Sequence, residues 1–192
     1  MRPAKGTLHR AEREFLVRYL ALTGEQLLDT VQGLNKEQQR YRLRDSWSVA
    51  DCVEHVTLVE QGVFERIQAV LLEPPPSPAQ TRSSLADEAL MRRERNRSLR
   101  FASHADALPR RRWTDFEGLL RRFEAARERS LRFAAVTQKD LRGHAFAHPQ
   151  FGELDCYQWL LFLGAHAERH ALQATEVIAG ARFPREADSA TA

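Results

Sequence analysis

Apolar residues recur at three-to-four spacing through four long stretches of the chain, and each stretch predicts an amphipathic helix. In the first, from Thr7 to about Leu34, the stripe is Phe15, Leu16, Tyr19, Leu20, Leu27, Leu28 and Val31, with Gly24 inside it as a point of bending or weakness. The second opens at Ser48, an N-cap followed three residues later by Asp51, whose carboxylate can reach back to the cap amide. Cys52, His55, Val56, Val59 and Val63 make its apolar face. It must stop by Glu73, because Pro74, Pro75, Pro76 and Pro78 remove donors and disfavour helix before each ring. Thr114, with Glu117 in the capping-box position, marks a third long start, and Phe116, Leu119, Leu120, Phe123, Ala126, Ser130, Leu131 and Phe133 carry its stripe to about Thr137. Asp155 and Gln158 form another capping box, opening a last helix that ends near Ala179 with Gly180 as its left-handed stop.

Between the second and third of these, Ser84 to Phe101 predicts a short, very charged helix with a thin apolar side of Leu85, Leu90 (or Met91) and Leu99. The remaining segments read as connections: a polar, turn-like link from Asn35 to Trp47, a loop from His104 to Arg112 carrying Pro109, and a long loop from Gln138 to Leu154. No internal repeat is visible, and the proline-rich stretch Pro74–Pro78 is too short to divide the chain. The expected architecture is all-α: an antiparallel four-helix bundle with one additional short charged helix, a single domain over residues 1–192 with its core at about 7–180 and a flexible tail at 181–192.

Composition agrees. Hydrophobic residues make up 43% and charged residues 29%, with only 9 glycines, which favours helix in an ordinary globular chain. The net charge is +3, and Lys5, Lys36 and Lys139 are the only lysines, so the basic total is mostly arginine. Arginine in such numbers raises nucleic acid as a partner. Against it, Asp87, Glu88, Glu94, Asp106 and Asp115 sit among Arg92, Arg93, Arg95, Arg97, Arg100 and Arg110 to Arg112. Interleaved charges of this kind lace solvated helix faces, so no nucleic-acid partner is expected. Cys52 and Cys156 do not make a disulfide framework. The opening Met-Arg-Pro-Ala-Lys-Gly-Thr is polar, and the most apolar run, Tyr157 to Ala167, is too short to span a bilayer, so the expectation is a cytoplasmic protein with no membrane partner.

One chemical signal stands out. His166 and His170 lie four residues apart, which on a helix separates them by only about 40°, so both point the same way. Trp159, Leu163, Gln173 and Val177 share that face, which directs both rings at the core. There an unpaired polar group costs about 1–3 kcal/mol, and a shared metal ion would satisfy both nitrogens at once. His55, about two turns past the capping serine on a core face, can supply a third ligand from a facing helix. Zinc and nickel suit imidazole nitrogens, and three protein ligands leave a position for water or substrate. Paired core histidines without metal are the competing reading of the same spacing. The motif is not that of a zinc protease, since Ala167 rather than a glutamate follows the first histidine, and there is no nucleophile elbow, phosphate loop or Cys-x-x-Cys pair.

These residues carry a resemblance. Ser46-Trp47-Ser48-Val49-Ala50-Asp51-Cys52-Val53-Glu54-His55-Val56, then Phe151-Gly152-Glu153-Leu154-Asp155, then His166-Ala-Glu-Arg-His170 with Gln173, together resemble the DinB/YfiT-like superfamily of metal-dependent enzymes. The likeness runs from about Phe15 to Ile178 and leaves out the charged segment from Pro74 to Arg112. It implies a four-helix bundle, often a homodimer, with a histidine triad for nickel or zinc that maps onto His55, His166 and His170. Some members of that family transfer low-molecular-weight thiols such as bacillithiol, mycothiol or glutathione, or isomerise maleylpyruvate with a thiol cofactor. The expected function is therefore a divalent-metal-dependent enzyme that activates a thiol or water, of thiol S-transferase or hydrolase type, acting on a small molecule. The alternative is a non-catalytic, metal-stabilised helical protein in stress response or binding.

Three further residues are candidates for the surroundings of the site. His148 could line the pocket, or be a loop histidine bound to backbone or water. Trp159, on the metal-facing side, could form the cavity wall. Asp51, one turn before His55, could orient its ring, although capping already accounts for it. Cys52 reads as a small core residue rather than a ligand, and no general base is evident.

Overall fold

A computed structural model describes residues 8–44, 46–74, 85–101, 105–113 and 115–185. Among the described residues there are six α-helices: α1 (Arg10–Val31), α2 (Lys36–Arg40), α3 (Val49–Val70), α4 (Asp87–Arg95), α5 (Phe116–Val136) and α6 (Cys156–Ile178). A hairpin of β1 (Ala145–His148) and β2 (Gly152–Asp155) stands before α6. The four long helices α1, α3, α5 and α6 form the bundle: α1 and α3 each pack against both α5 and α6, and α4 lies on α6. The expected four-helix bundle with one extra charged helix is what the chain builds.

Local chemistry explains most of the boundaries. Ser48 Oγ accepts from the amide of Asp51, and Asp51 Oδ2 accepts from the amide of Ser48 at 2.8 Å, so α3 starts where its capping box places it. The same reciprocal pair, Asp155 with Gln158, opens α6. At α5 the capping residue is Asp115, whose Oδ2 accepts from the amide of Gly118 at 3.0 Å; Glu117 lies in the first turn without completing a box, and Thr114 lies outside the described residues.

Other expectations are corrected. The first helix runs from Arg10 to Val31 rather than on to Leu34, and Thr7 lies outside the described residues. The link from Asn35 to Trp47 contains α2, because Asn35 and Gln38 make a capping box that sustains one short helix. The charged helix is shorter than Ser84–Phe101: it ends at Arg95, where Asn96 Oδ1 accepts from the amide of Ser98 and turns the chain. Ser84, Pro75 to Pro78 and His104 lie outside the described residues. The long loop before α6 contains the hairpin, in register Ala145 with Asp155 and His148 with Gly152. Gly152 has φ +72°, a conformation that the lack of a Cβ makes available to glycine. Just past Gly180 the chain turns back and buries Phe183 edge-on against Tyr41 at 5.5 Å, and residues 186–192 of the expected tail lie outside the described residues.

The core is apolar and large, with Leu16, Leu20, Ile67, Leu160 and Leu161 in one cluster and Leu27, Val53, Phe123, Ala171 and Val177 in another. Gly164 lets α1 approach α6 closely: a Cβ there would come within 2.7 Å of the Tyr19 ring. Among the described residues, no helix is long and apolar enough to cross a membrane.

Candidate metal centre

His55 projects from α3, and His166 and His170 from successive turns of α6. All three are buried. Ring centroids are 5.0 Å apart for His55–His166, 4.9 Å for His55–His170 and 4.6 Å for His166–His170. One nitrogen of each lies within 4.8 Å of the other two, and these are the only described residues so gathered for a metal. The spacing of four on α6 and the cap-fixed phase of α3 thus bring together the three histidines expected from sequence.

The partners of the rings decide what the centre can hold. His55 Nδ1 donates to the carbonyl of Ala107 at 2.7 Å, so in the neutral ring Nε2 carries a lone pair. His166 Nδ1 donates to the carboxylate of Glu94 at 2.8 Å, which likewise leaves its Nε2 bare. Those two Nε2 atoms face each other at 3.0 Å. Two lone pairs at that distance repel unless a cation joins them. Burial, helped by the neighbouring His166, pushes the His55 pKa down to about 3, and burial drives that of His170 well below its ordinary value, so these two rings resist taking up a proton. His170 Nδ1 is also buried without a hydrogen-bond partner among the described residues. Histidine nitrogens about 2.0–2.1 Å from a shared zinc-like ion stand about 2.8–3.4 Å apart for angles from 90° to tetrahedral, so the observed separation fits a divalent cation.

The centre opens onto a cavity of about 920 Å³, within the range of small-molecule sites. Trp47 forms part of its wall and stacks on His170 at 5.8 Å and against His55 at 4.7 Å. Trp159 lines it too; its indole donates to the Phe146 carbonyl, and its ring stacks on Phe146 at 4.3 Å. His148 also lines the cavity, with Nδ1 accepting from the amide of Gln150 and its ring among Phe151, Trp159 and Phe162. Burial lowers the His148 pKa to about 4.

Asp51 does not orient His55. Its Oδ2 is taken by the amide and hydroxyl of Ser48 and by Arg42 at 2.6 Å, while the Ala107 carbonyl holds the ring. His144 lies away from the centre, its two nitrogens bridging the carbonyls of Asp140 and Glu73, and His9 is exposed. Cys52 is a core residue whose thiol burial pushes up, in keeping with a packing role.

Two functional groups escaped the sequence reading, and both come from the charged segment. Glu94 on α4 is buried and orients His166. The turn Ala105–Ala107 supplies the carbonyl for His55, and it is held in place by Glu54, whose carboxylate accepts from the amides of Arg110, Arg111 and Arg112. One signal for Glu94 was present: it lies four residues after Leu90, on the thin apolar side of α4, where an acid is out of place.

Comparison with known proteins bears on the fold and the family. Among solved structures, YfiT from Bacillus subtilis, described as a probable metal-dependent hydrolase with an unusual four-helix bundle topology, matches with a TM-score of 0.60 at 17% identity, covering 93% of this chain and 91% of that one. At that identity the likeness speaks for the fold. No curated protein sequence matches the chain. The family model of the DinB superfamily matches residues 19–174, and with four-fifths of its length inside that match the chain belongs to the DinB superfamily.

Proposed function

We propose that this protein is a divalent-metal-dependent enzyme in which His55, His166 and His170 hold one zinc or nickel ion, and that it works on a small molecule by hydrolysis or thiol transfer. The observation that carries the reading is the 3.0 Å approach of two Nε2 atoms, on rings whose Nδ1 atoms are each committed elsewhere. When bound, such an ion supplies Lewis acidity toward a water or a thiol. The chain's own residues do the rest. Glu94 and the Ala107 carbonyl fix ring orientation and tautomer, and Trp47 packs the rings of His55 and His170 from one side. Phe146, Trp159 and Phe162 form an aromatic wall on one side of the cavity. The cavity volume supports catalysis over a purely structural ion, because a structural site has no use for space of that size beside it.

Elemental analysis of untagged protein tests the metal. The expected result is close to one divalent ion per chain, lost in His166→Ala and His170→Ala, lost or weakened in His55→Ala, and retained in His9→Ala. Metal-free wild-type protein, or loss in the His9 variant, would sink the assignment. Product formation from ester or amide substrates in water alone supports the hydrolase form, whereas strict dependence on an added thiol supports the transferase form.

A further inference from the structure

The cavity beside the triad is lined by four arginines, Arg66, Arg97, Arg100 and Arg169, and by two carboxylates, Glu94 and Asp106. The Glu94 carboxylate is taken by His166, and Asp106 is likewise not without a partner. Arg97 pairs with Glu176 at 3.0 Å. The other three guanidiniums have no carboxylate partner among the described residues. Arg169 is 5% exposed, and its donors end on the backbone carbonyls of Glu94, Asn96 and Leu99. Its hydrogen bonds are therefore satisfied while its charge is not neutralised by direct pairing. Arg66, on α3, rests over the Phe146 ring, and Arg100 follows α4; both are exposed where they meet the cavity. A cleft in which one sign of charge is in excess, between apolar walls, concentrates ions of the other sign. Exposed guanidiniums without a carboxylate partner are also suited to grip a planar anion with two parallel hydrogen bonds.

We infer that the cavity takes a substrate with an aromatic or apolar body and a carboxylate end, the carboxylate being held by Arg66 and Arg100. The aromatic wall of Phe101, Phe146, Trp159 and Phe162 receives the body, and the arginines select the charge. The inference deepens the enzymatic reading and rests on it only for where the reacting end lies, next to the histidines.

The test is calorimetric titration with two probes of one shape, phenylacetate and its neutral counterpart phenylacetamide, on the protein as purified and on a chelator-stripped sample. Metal content is measured on both. Phenylacetate is expected to bind roughly tenfold more tightly than phenylacetamide in both samples, a preference of the size one well-placed charged contact gives. In the double variant Arg66→Gln/Arg100→Gln the preference falls to about twofold or less, with helical circular dichroism unchanged because both side chains are exposed. Equal affinity for the two probes, no binding of phenylacetate, or a preference kept by the double variant each overturns the inference. A preference confined to the metal-containing sample overturns it too, since the ion would then be the anion's partner. A protein that holds metal without any preference loses this inference alone; a preference in a protein that never holds metal loses the metal reading alone.

Discussion

Glu94 accepts a 2.8 Å hydrogen bond from Nδ1 of His166 across 72 residues of sequence, and this joins the charged helix α4 to the histidine face of α6. A carboxylate behind a ligating imidazole fixes its tautomer and raises its basicity, and removing such a partner lowers metal affinity by about 10–100-fold. Glu94→Ala should therefore weaken zinc binding by that order, measured by competition with a chromophoric chelator. Glu94→Gln, which can still accept through its amide oxygen, should lose less. Unchanged affinity in Glu94→Ala would mean that the contact does not support a ligand.

Asp51 and Glu94 separate capping from ligand support. Asp51 caps α3 through Ser48 and pairs with Arg42, while the His55 ring is held by the Ala107 carbonyl. Asp51→Ala should lower stability to urea by roughly 1–2 kcal/mol, the usual effect of a lost cap, and leave metal affinity as it was. A tenfold loss of zinc affinity in that variant would reinstate Asp51 as a partner of the centre.

What could be read from the chain alone follows from how local each determinant is. The boxes Ser48–Asp51 and Asp155–Gln158 lie within one turn, so a few residues suffice to place the starts of α3 and α6. The pairing of His166 with His170 is local as well, and His55 joins them because capping sets the phase of its helix. Asn35–Gln38 carries the same signature yet opens only five residues, too few for an apolar stripe to announce α2. Each strand of the hairpin has four residues, and Ala-Phe-Ala-His against Gly-Glu-Leu-Asp offers little alternation to detect. At α5 two adjacent residues, Thr114 and Asp115, can both cap, and only the bond to Gly118 identifies Asp115. The Ala107 carbonyl was beyond reach, because any residue carries one and only the turn held by Glu54 aims it.

The buried histidines also set the response to acid. His55 and His148 have folded-state pKa values of about 3 and about 4 against an ordinary 6.5, and that of His170 also lies well below, so all three are neutral in the folded state. Below pH 6.5 the unfolded chain takes up protons that the folded chain refuses, so metal-free protein loses stability as pH falls from 6.5 toward 4. Asp155 acts in the opposite sense, burial raising its pKa from 3.8 to about 6, so the folded chain protonates there first on acidification. Three histidines against one carboxyl leave a net loss. Urea midpoints of stripped protein should fall steadily across that window; a midpoint that stays flat or rises would contradict neutral burial of the rings.

Away from the centre, the bundle buries a full ion pair: Arg127 meets Glu60 through Nε at 3.1 Å and Nη2 at 2.8 Å, with both side chains almost wholly enclosed. The remaining donors of Arg127 go to the carbonyls of Leu20 and Leu163 and to Thr23, and Ser130 donates to Glu60, so one group ties α1, α3, α5 and α6 together. Taking charges out of water is costly, and their attraction roughly offsets that only while both are present. Glu60→Leu leaves a buried guanidinium without its counter-ion and should lower stability by roughly 3–5 kcal/mol, as should Arg127→Met for the reverse reason. The double variant Glu60→Leu/Arg127→Met removes both charges and should recover most of the loss, which thermal and urea unfolding of the four proteins would show as strong non-additivity. If the double variant is as unstable as the sum of the singles, the four helices depend on the carbonyl bonds of Arg127 rather than on its pairing with Glu60.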